Sequence, residues 1–278
     1  MIEPGTMHGH DEVADHYNEL DRVYREVWGD HVHHGYWVTG RESSSEAVVA
    51  LSDLVAERLA PQPGEHLCDI GCGYGATAEH FARRHGVEVT GFTLSAQQHK
   101  LAAARPGALT FNLHDWLANT CDDGEFDRAY AIESTEHMHD KQRFFDEAYR
   151  TLRPGGRLVI CAWLAASNAS KWQIDHLLRP ICKEGRLPGM GTQEEYLAMA
   201  TKAGFEPLGH EDISRQVSRT WSICTRRFIG KLAVDRSYRQ LALNSGTRNR
   251  DFILSLPRLI AAYRTGAMRY GVFTFDRA

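Results

Sequence analysis

A regular alternation of strand-like and helix-like segments between residues 65 and 163 constrains the fold of this chain more than any other feature. Apolar runs predict five strands, and amphipathic stretches between most of them predict helices. The predicted strands cover 65–70, 87–92, 109–113, 126–132 and 157–163, and the predicted helices cover 76–85, 95–104 and 141–152. Such alternation favours a parallel sheet with helices on both faces and right-handed crossovers. The sequence therefore predicts an α/β fold with a doubly wound, mostly parallel sheet.

The segments before and after this alternation have a different pattern. Residues at helical spacing predict an N-terminal amphipathic helix, namely Val13, Tyr17, Leu20, Tyr24 and Val27. Beyond residue 164 the pattern indicates helical insertions, with two further strands predicted at 204–213 and 269–275. We therefore expect a helical lid at 1–45, a ligand-binding core at 46–164, and at 165–278 cap insertions together with the strands that complete a seven-stranded sheet.

Composition and charge argue against several classes of protein. The chain has 36 acidic and 32 basic residues, a net charge of −4, and no basic stripe, which argues against nucleic-acid binding. It has no run of about 18 apolar residues, so no stable membrane insertion is expected. The first ten residues do not resemble a secretion signal, and none of the six cysteines forms a C-x-x-C pair. We therefore expect a cytoplasmic protein with reduced thiols.

A glycine-rich turn follows the first strand of the alternation, in the segment Leu67-Cys-Asp-Ile-Gly-Cys-Gly-Tyr-Gly75. Ligands of doubly wound sheets bind outside the carboxyl ends of the strands, where Gly71 and Gly73 allow a close approach of backbone. The G-x-G-x-G spacing is shorter than the G-x-G-x-x-G fingerprint of pyrophosphate binding. The carboxylate of Asp69 at the strand end repels phosphate and suits a ligand that carries an ammonium group.

This segment resembles motif I of the class I S-adenosylmethionine-dependent methyltransferases, and three other segments extend the resemblance. Residues 89–98 resemble the G-x-T-L-S-x-x-Q segment of the tocopherol and cyclopropane-fatty-acid-synthase branch. Residues 126–140 resemble the F-D-x-x-x-x-x-E-S-x-E-H-M-x-D stretch of γ-tocopherol and alkaloid N-methyltransferases, and residues 28–37 resemble their W-G-x-H-x-H-H-G-x-W/Y segment. The resemblance covers nearly the whole chain. It implies S-adenosylmethionine as the cofactor and methyl transfer as the activity.

The resemblance also implies which residues hold the cofactor. Most class I enzymes end the second strand with an acidic residue for the ribose, whereas this chain has Thr93, which the resemblance pairs with Leu94 and Gln98. Asp115 is implied to accept from the adenine amino group, with Trp116 covering the ring. The full implied set is Tyr36, Asp69, Gly71, Cys72, Gly73, Thr93, Leu94, Gln98, Asp115, Trp116 and Glu133.

Catalytic candidates follow the fourth strand, where the reacting methyl group is expected. Glu133 ends that strand and His137 begins the next segment, with His34 as a third candidate and Glu136 adjacent. A helix-capping or packing role is an equal alternative for each of them. No metal is expected, because the resemblance implies none and consecutive histidines do not easily converge on one ion.

The acceptor is expected to be small and apolar, and four aromatic residues are candidates to line its pocket: Tyr17, Trp28, Trp172 and Trp221. We expect an isoprenoid, a prenylated aromatic or another specialised metabolite, with C-methylation favoured over N- or O-methylation. A diphosphate acceptor would use arginines, for which Arg179, Arg186, Arg226 and Arg227 are candidates if they are not surface charges. A cofactor-binding cyclase or scaffold and a nicotinamide-dependent oxidoreductase are alternatives, and homo-oligomerisation is left open.

Overall fold

Seven strands form one sheet at the centre of the computed structural model, which describes residues 1–4, 10–243 and 255–278. The strand order is β3-β2-β1-β4-β5-β7-β6. The strands are β1 His66–Ile70, β2 Glu88–Thr93, β3 Leu109–Leu113, β4 Phe126–Ile132, β5 Leu152–Ala165, β6 Phe205–Asp212 and β7 Met268–Arg277. The first five pair in parallel, and β7 lies antiparallel between β5 and β6. The predicted doubly wound, mostly parallel seven-stranded sheet is confirmed.

Helices cover the sheet and its carboxyl edge. They are α1 His10–Glu19, α2 Asp21–Val27, α3 Ser44–Leu59, α4 Ala76–His85, α5 Ala96–Ala102, α6 Lys141–Thr151, α7 Lys171–Gln173, α8 Arg179–Glu184, α9 Gln193–Ala203, α10 Ser214–Val217, α11 Arg219–Val234, α12 Arg236–Leu243 and α13 Leu256–Arg264. None of the helices in the described ranges is sufficiently long and apolar to span a bilayer. Helix α3 begins at a capping box in which the Ser43 hydroxyl accepts from the Glu46 amide.

The fifth strand begins earlier than the predicted 157–163, at Leu152. Leu152 pairs with Phe126, and the register between β4 and β5 then shifts before Arg128 pairs with Arg157. The irregularity accommodates Pro154, whose ring cannot donate to a strand ladder. The apolar pattern therefore indicated only the regular part of this strand.

Three apolar clusters hold the structure together, and each of them includes side chains of the sheet. One packs α6 and α9 on the sheet through Phe144, Phe145 and Tyr196. The second packs α3 and α4 on the sheet through Leu51 and Phe81. The third joins α2 to the helices that follow β5. Its buried members include Val23, Leu178, Trp221, Phe228, Tyr238 and Leu259. The N-terminal segment and the later insertions therefore form one cap over the carboxyl edge of β1, β4 and β5.

Candidate active site

The main cavity lies at the carboxyl ends of β1, β2 and β4 and has a volume of about 760 Å³ including its open mouth. Eight of the eleven residues implied for the cofactor line it, namely Gly71, Gly73, Thr93, Leu94, Gln98, Asp115, Trp116 and Glu133. Gly71 has φ +89°, and a Cβ there would lie 2.3 Å from the Cβ of Ser134. Backbone approach at this turn therefore requires glycine for both its conformation and its size.

A second opening, the histidine cleft, continues from the main cavity along the glycine turn. It is lined by Asp69 and Cys72 together with His31 and His33, and it shares Gly71 and Gly73 with the main cavity among other residues. Asp69 is 3% exposed, and its Oδ2 has no hydrogen-bond partner among the described residues. Burial raises the pKa of Asp69 to about 7, although the neighbouring Tyr130 hydroxyl acts in the opposite direction. A buried carboxylate oxygen without a partner favours a cationic ligand group at this position.

Side chains at the ends of β2 and β3 are fixed before any ligand binds. The Thr93 hydroxyl donates to Gln98 Oε1 at 2.8 Å, and both side chains are buried. Asp115 accepts from the Leu117 amide at 3.0 Å and thereby caps the short turn that carries Trp116. The Trp116 ring packs edge-on against Phe92 at 5.3 Å between centroids, and its Nε1 has no partner among the described residues. This end of the main cavity therefore offers polar atoms and a flat apolar surface, which suits a nucleoside.

The aromatic chamber, of about 470 Å³, adjoins the main cavity on its cap side. Its lining residues are Tyr17, Tyr24, Trp28, Val32, Glu133, Glu136, His137, Trp163, Gly185, Leu187 and Trp221. Tyr17, Val32, Glu133 and His137 line the main cavity as well, so the two spaces meet at these side chains. No lysine or arginine is among the described residues that line the chamber. The lining is therefore largely apolar, and its two carboxylates are Glu133 at the junction and Glu136 on the chamber side.

The Glu133 carboxylate at the junction is fully engaged by the protein. It accepts from the backbone amide and Nδ1 of His34 at 2.6 and 2.9 Å. It also accepts from Trp163 Nε1 at 2.9 Å and from the Tyr270 hydroxyl at 2.8 Å. Burial would raise its pKa, but the charge and hydrogen bonds of His34 outweigh burial and lower the pKa to about 2. Glu133 is therefore an ionised anchor that ties the loop of His34 to β5 and β7, and four donors occupy its oxygens.

Glu136 is a second buried carboxylate, which lines the aromatic chamber but not the main cavity, and it has fewer hydrogen-bond partners than Glu133. It is 2% exposed, and its Oε1 accepts from the backbone amide of Trp163. Burial raises the pKa of Glu136, the Trp163 hydrogen bond opposes this, and the negative charge of Glu133 raises it further. Buried Lys141 lies nearby and donates to the Glu136 and Met138 carbonyl oxygens. A carboxyl with a raised pKa beside an apolar chamber is suited to proton transfer.

His137 completes the junction with a residue from the N-terminal segment. Its Nε2 lies 2.8 Å from the Tyr17 hydroxyl, and the Tyr17 ring stands edge-on to the imidazole at 5.4 Å between centroids. Burial raises the pKa of Tyr17, so its phenol stays protonated at neutral pH. Helix α1 is held at this position because Asn18 Oδ1 accepts from the Ser95 hydroxyl at 2.7 Å. The lid residue Tyr17 thus forms part of the wall between the two spaces.

Two predicted site residues, Trp172 and Tyr36, line neither the main cavity nor the histidine cleft nor the aromatic chamber. Of the four arginine candidates for a diphosphate site, one is buried. Trp172 is 58% exposed and packs against His176 on the outer surface, because its short helix turns that side chain away from the chamber. Tyr36 packs against the apolar cluster beneath α3, and its amide donates to the Ala47 carbonyl. Arg186 is 6% exposed between two chamber residues, whereas Arg179, Arg226 and Arg227 are exposed.

Trp163, Leu187 and Glu136 belong to the chamber although the sequence did not assign them to it. Glu136 had a signal, since it lies inside the matching segment 126–140, but Trp163 appeared only as the end of a strand. In the part of the chain that the structure describes, no group of three or more His, Cys, Asp or Glu side chains is arranged to hold a metal ion.

The sheet, the glycine turn with its buried acid and the nucleoside-shaped cavity define a class I S-adenosylmethionine-dependent methyltransferase, with S-adenosylmethionine as cofactor. The chain belongs to the mycolic acid cyclopropane synthetase family, whose model matches residues 6–236. The predicted family, fold, enzyme class and cofactor are thereby confirmed.

Individual relatives agree on the fold and differ in their reactions. The chain is 30% identical to the chloroplastic tocopherol O-methyltransferase of Arabidopsis thaliana, over 95% of this chain and 81% of the relative. The crystal structure of the [4+2]-cyclase SpnF is similar with 26% identity and a TM-score of 0.84, covering 98% of this chain and 97% of that chain. The mycolic acid cyclopropane synthase CmaA1, solved with SAH and CTAB, has 21% identity and a TM-score of 0.85, covering 98% and 99%. The acceptor must therefore be argued from the site.

Proposed function

We propose that this enzyme methylates a carbon of a small, neutral and largely apolar acceptor, such as an isoprenoid or a prenylated aromatic, held in the aromatic chamber. One observation carries the proposal. The chamber brings three tryptophan and two tyrosine side chains to a junction with the main cavity; Glu133 and His137 lie at that junction, and the buried carboxyl group of Glu136 lines the chamber beside it.

The residues of the main cavity and the histidine cleft fit S-adenosylmethionine. Asp69 would receive the ammonium group of the methionine part, since its Oδ2 has no partner among the described residues. The Thr93–Gln98 pair would face the ribose, and Asp115 with Trp116 would face the adenine. When bound, the cofactor supplies an electrophilic methyl group. The protein aligns the acceptor with that group and excludes water from the junction.

The chamber favours a neutral acceptor because the described residues that line it include no cation. Methylation of an alkene or an electron-rich ring carbon leaves a positive charge on the acceptor. The faces of Trp28, Trp163 and Trp221 can each stabilise such a charge by roughly 0.5–2 kcal/mol. The carboxylate of Glu133 adds a fixed negative charge at the junction. This environment supports C-methylation better than a diphosphate acceptor, because Arg186 is the single buried arginine among the described residues.

In this proposal Glu136 removes a proton from the methylated acceptor. Glu133 has a positioning role. Glu133 holds a low pKa and accepts four hydrogen bonds, so it has little capacity to take a proton. The raised pKa of Glu136 lies closer to the working pH, which is what general-base catalysis requires. His137 lies beside Glu136 and, with Tyr17, offers a second polar contact to the acceptor.

O-methylation of a hydroxyl is a second candidate, supported by the name of the Arabidopsis relative. The same glutamate would then deprotonate the hydroxyl before transfer. The likeness to SpnF supports the further alternative of a cyclase that binds the cofactor without transferring its methyl group.

The test uses methyl-labelled S-adenosylmethionine with a matched pair of acceptors, a prenylated phenol and its O-methyl ether. C-methylation predicts label in the products of both acceptors, whereas O-methylation predicts label only with the free phenol. Trp221→Leu should lower turnover of either acceptor, and the matched control Trp172→Leu, at an exposed site, should not. If the protein binds the cofactor but labels neither acceptor nor any lipid in a cell extract, the transferase proposal fails and the cyclase alternative gains support.

A further inference from the structure

The outer side of the cap carries a charge opposite to that of the chain as a whole. Residues 214–243 contain seven basic residues and one acidic residue, a net charge of +6, although the chain carries −4. The rest of the chain therefore carries −10. The one acidic residue of this segment, Asp235, is engaged by Arg22 at 2.6 Å. The positive charge is thus concentrated on α10, α11 and α12.

Helix α11 has one side buried in the cap and other positions exposed to solvent. Trp221, Cys224 and Phe228 face inward and are buried in the cap cluster. Away from that side, Arg226, Ile229 and the last helical residue Val234 are exposed, and the two aliphatic side chains are 59% and 79% exposed. The exposed part of this helix therefore presents a cation together with aliphatic side chains.

Helix α12 continues the same surface. Arg236, Arg239 and Leu243 are exposed along one side, and Leu243 is 79% exposed. The Arg239 guanidinium donates to the carbonyl oxygens of Leu232 and Ala233 at 2.9 and 3.1 Å, so α12 adjoins the end of α11. We call the six residues Arg226, Ile229, Val234, Arg236, Arg239 and Leu243 the outer cap face.

We propose that the outer cap face docks on the surface of an anionic lipid bilayer. Cationic side chains bind the anionic headgroups, and Ile229, Val234 and Leu243 enter the boundary between headgroups and acyl chains. An acidic protein would satisfy the cations equally well. The interleaved aliphatic side chains favour the bilayer, because a headgroup layer covers cationic and aliphatic groups together. The rest of the chain carries a net negative charge, which the anionic bilayer surface repels. This repulsion orients the protein with the outer cap face toward the bilayer.

Docking in this orientation would bring the acceptor chamber close to the lipid. Trp221 lies on the inner side of α11 and lines the chamber, so one helix separates the chamber from the outer cap face. An apolar acceptor concentrates in a bilayer rather than in water. This use of the surface rests on the proposed function, but the docking itself does not.

The test measures binding of the full-length protein to sedimented vesicles of phosphatidylcholine alone and of phosphatidylcholine with phosphatidylglycerol. We expect binding to the anionic vesicles only, and release at high salt. The triple variant Arg226→Glu, Arg236→Glu and Ile229→Ser should bind at least about tenfold more weakly. The matched control variant Arg83→Glu, Lys202→Glu and Leu208→Ser makes the same charge change at exposed positions elsewhere and should bind like the wild type.

Several results would overturn the proposal. Equal binding to neutral and anionic vesicles would exclude headgroup recognition, and an equal loss in both triple variants would assign binding to net charge rather than to this face. If the protein does not bind vesicles but is retained on an immobilised acidic protein in a salt-sensitive manner, the outer cap face would be assigned to a protein partner. Methylation of a detergent-solubilised acceptor should be unchanged in the triple variant. This readout separates failure of docking from failure of the proposed function.

Discussion

Replacement of Glu133 by glutamine tests whether this carboxylate is the electrostatic anchor of the site. Its folded-state pKa of about 2, against an ordinary value of 4.5, corresponds to roughly 3 kcal/mol of stability at neutral pH. Glutamine keeps one acceptor oxygen but turns an amide group toward two of the donors. Removing one partner of a buried ion pair costs about 3–5 kcal/mol, which agrees with the pKa argument.

Urea denaturation of the wild type and Glu133→Gln measures this cost. Because the folded pKa is lowered, the contribution of Glu133 is fully present above pH 4.5 and is lost as the pH falls toward 2. The stability difference between wild type and variant should therefore be about 3–5 kcal/mol at pH 7 and should shrink in acid. Glu57→Gln is the matched control, since Glu57 is an exposed partner of Arg58 and should cost no more than about 1 kcal/mol. An unchanged urea midpoint for Glu133→Gln, or a difference independent of pH, would refute the reasoning.

Three further predictions concern the cofactor and the base. Asp69→Asn should weaken cofactor binding by about ten- to a hundredfold in calorimetry, because the variant lacks the buried charge that would face the ammonium group in the proposed assignment; unchanged affinity would contradict the assignment. Gly71→Ala should abolish cofactor binding or destabilise the fold by about 2 kcal/mol or more, since its Cβ would overlap Ser134, whereas Gly64→Ala, also at positive φ but in open space, should cost less. Glu136→Gln should lower kcat by at least about a hundredfold with cofactor affinity retained. In the wild type kcat should fall at low pH, with a midpoint above that of an ordinary carboxyl group because the pKa of Glu136 is raised; a wild-type rate in the variant would exclude Glu136 as the base.

The sheet and the cofactor half of the site were predictable because local patterns encode them. The glycine turn, Thr93, Asp115 and Trp116 lie at or within a few residues of strand ends, Gln98 lies in the helix that follows β2, and strand ends of a parallel sheet meet at one edge. Knowing that a residue follows a strand of a parallel sheet is therefore sufficient to place it at the edge of the sheet where the cavity lies. The same reasoning placed Asp69 at a strand end, where it lines the histidine cleft.

The acceptor half was only partly predictable because distant segments build it. Trp163, Leu187 and Trp221 meet in the chamber from β5, a loop and α11. Tyr36 is two residues from His34, yet its backbone pairs with Ala47 and its side chain joins a different cluster. A local pattern cannot show on which side of a loop a residue will pack.

The role of Glu133 depends on tertiary structure in the same way. Its four donors come from His34, Trp163 and Tyr270, which are far apart in sequence and meet only when the loop, β5 and β7 have assembled. The sequence indicated an acid near the reacting methyl group. The four hydrogen bonds to Glu133 favour a positioning role for that acid, and the proposed function therefore assigns proton transfer to Glu136.

The carbon NMR spectrum of the product is the most direct test of methyl transfer to a carbon of an apolar acceptor. Purified protein is incubated with ¹³C-methyl-labelled S-adenosylmethionine and a prenylated phenol, and the organic phase is analysed. C-methylation predicts a labelled methyl carbon that couples to a carbon of the acceptor skeleton. A labelled methyl carbon bound to oxygen, or no labelled product despite cofactor binding, would contradict C-methylation by this enzyme.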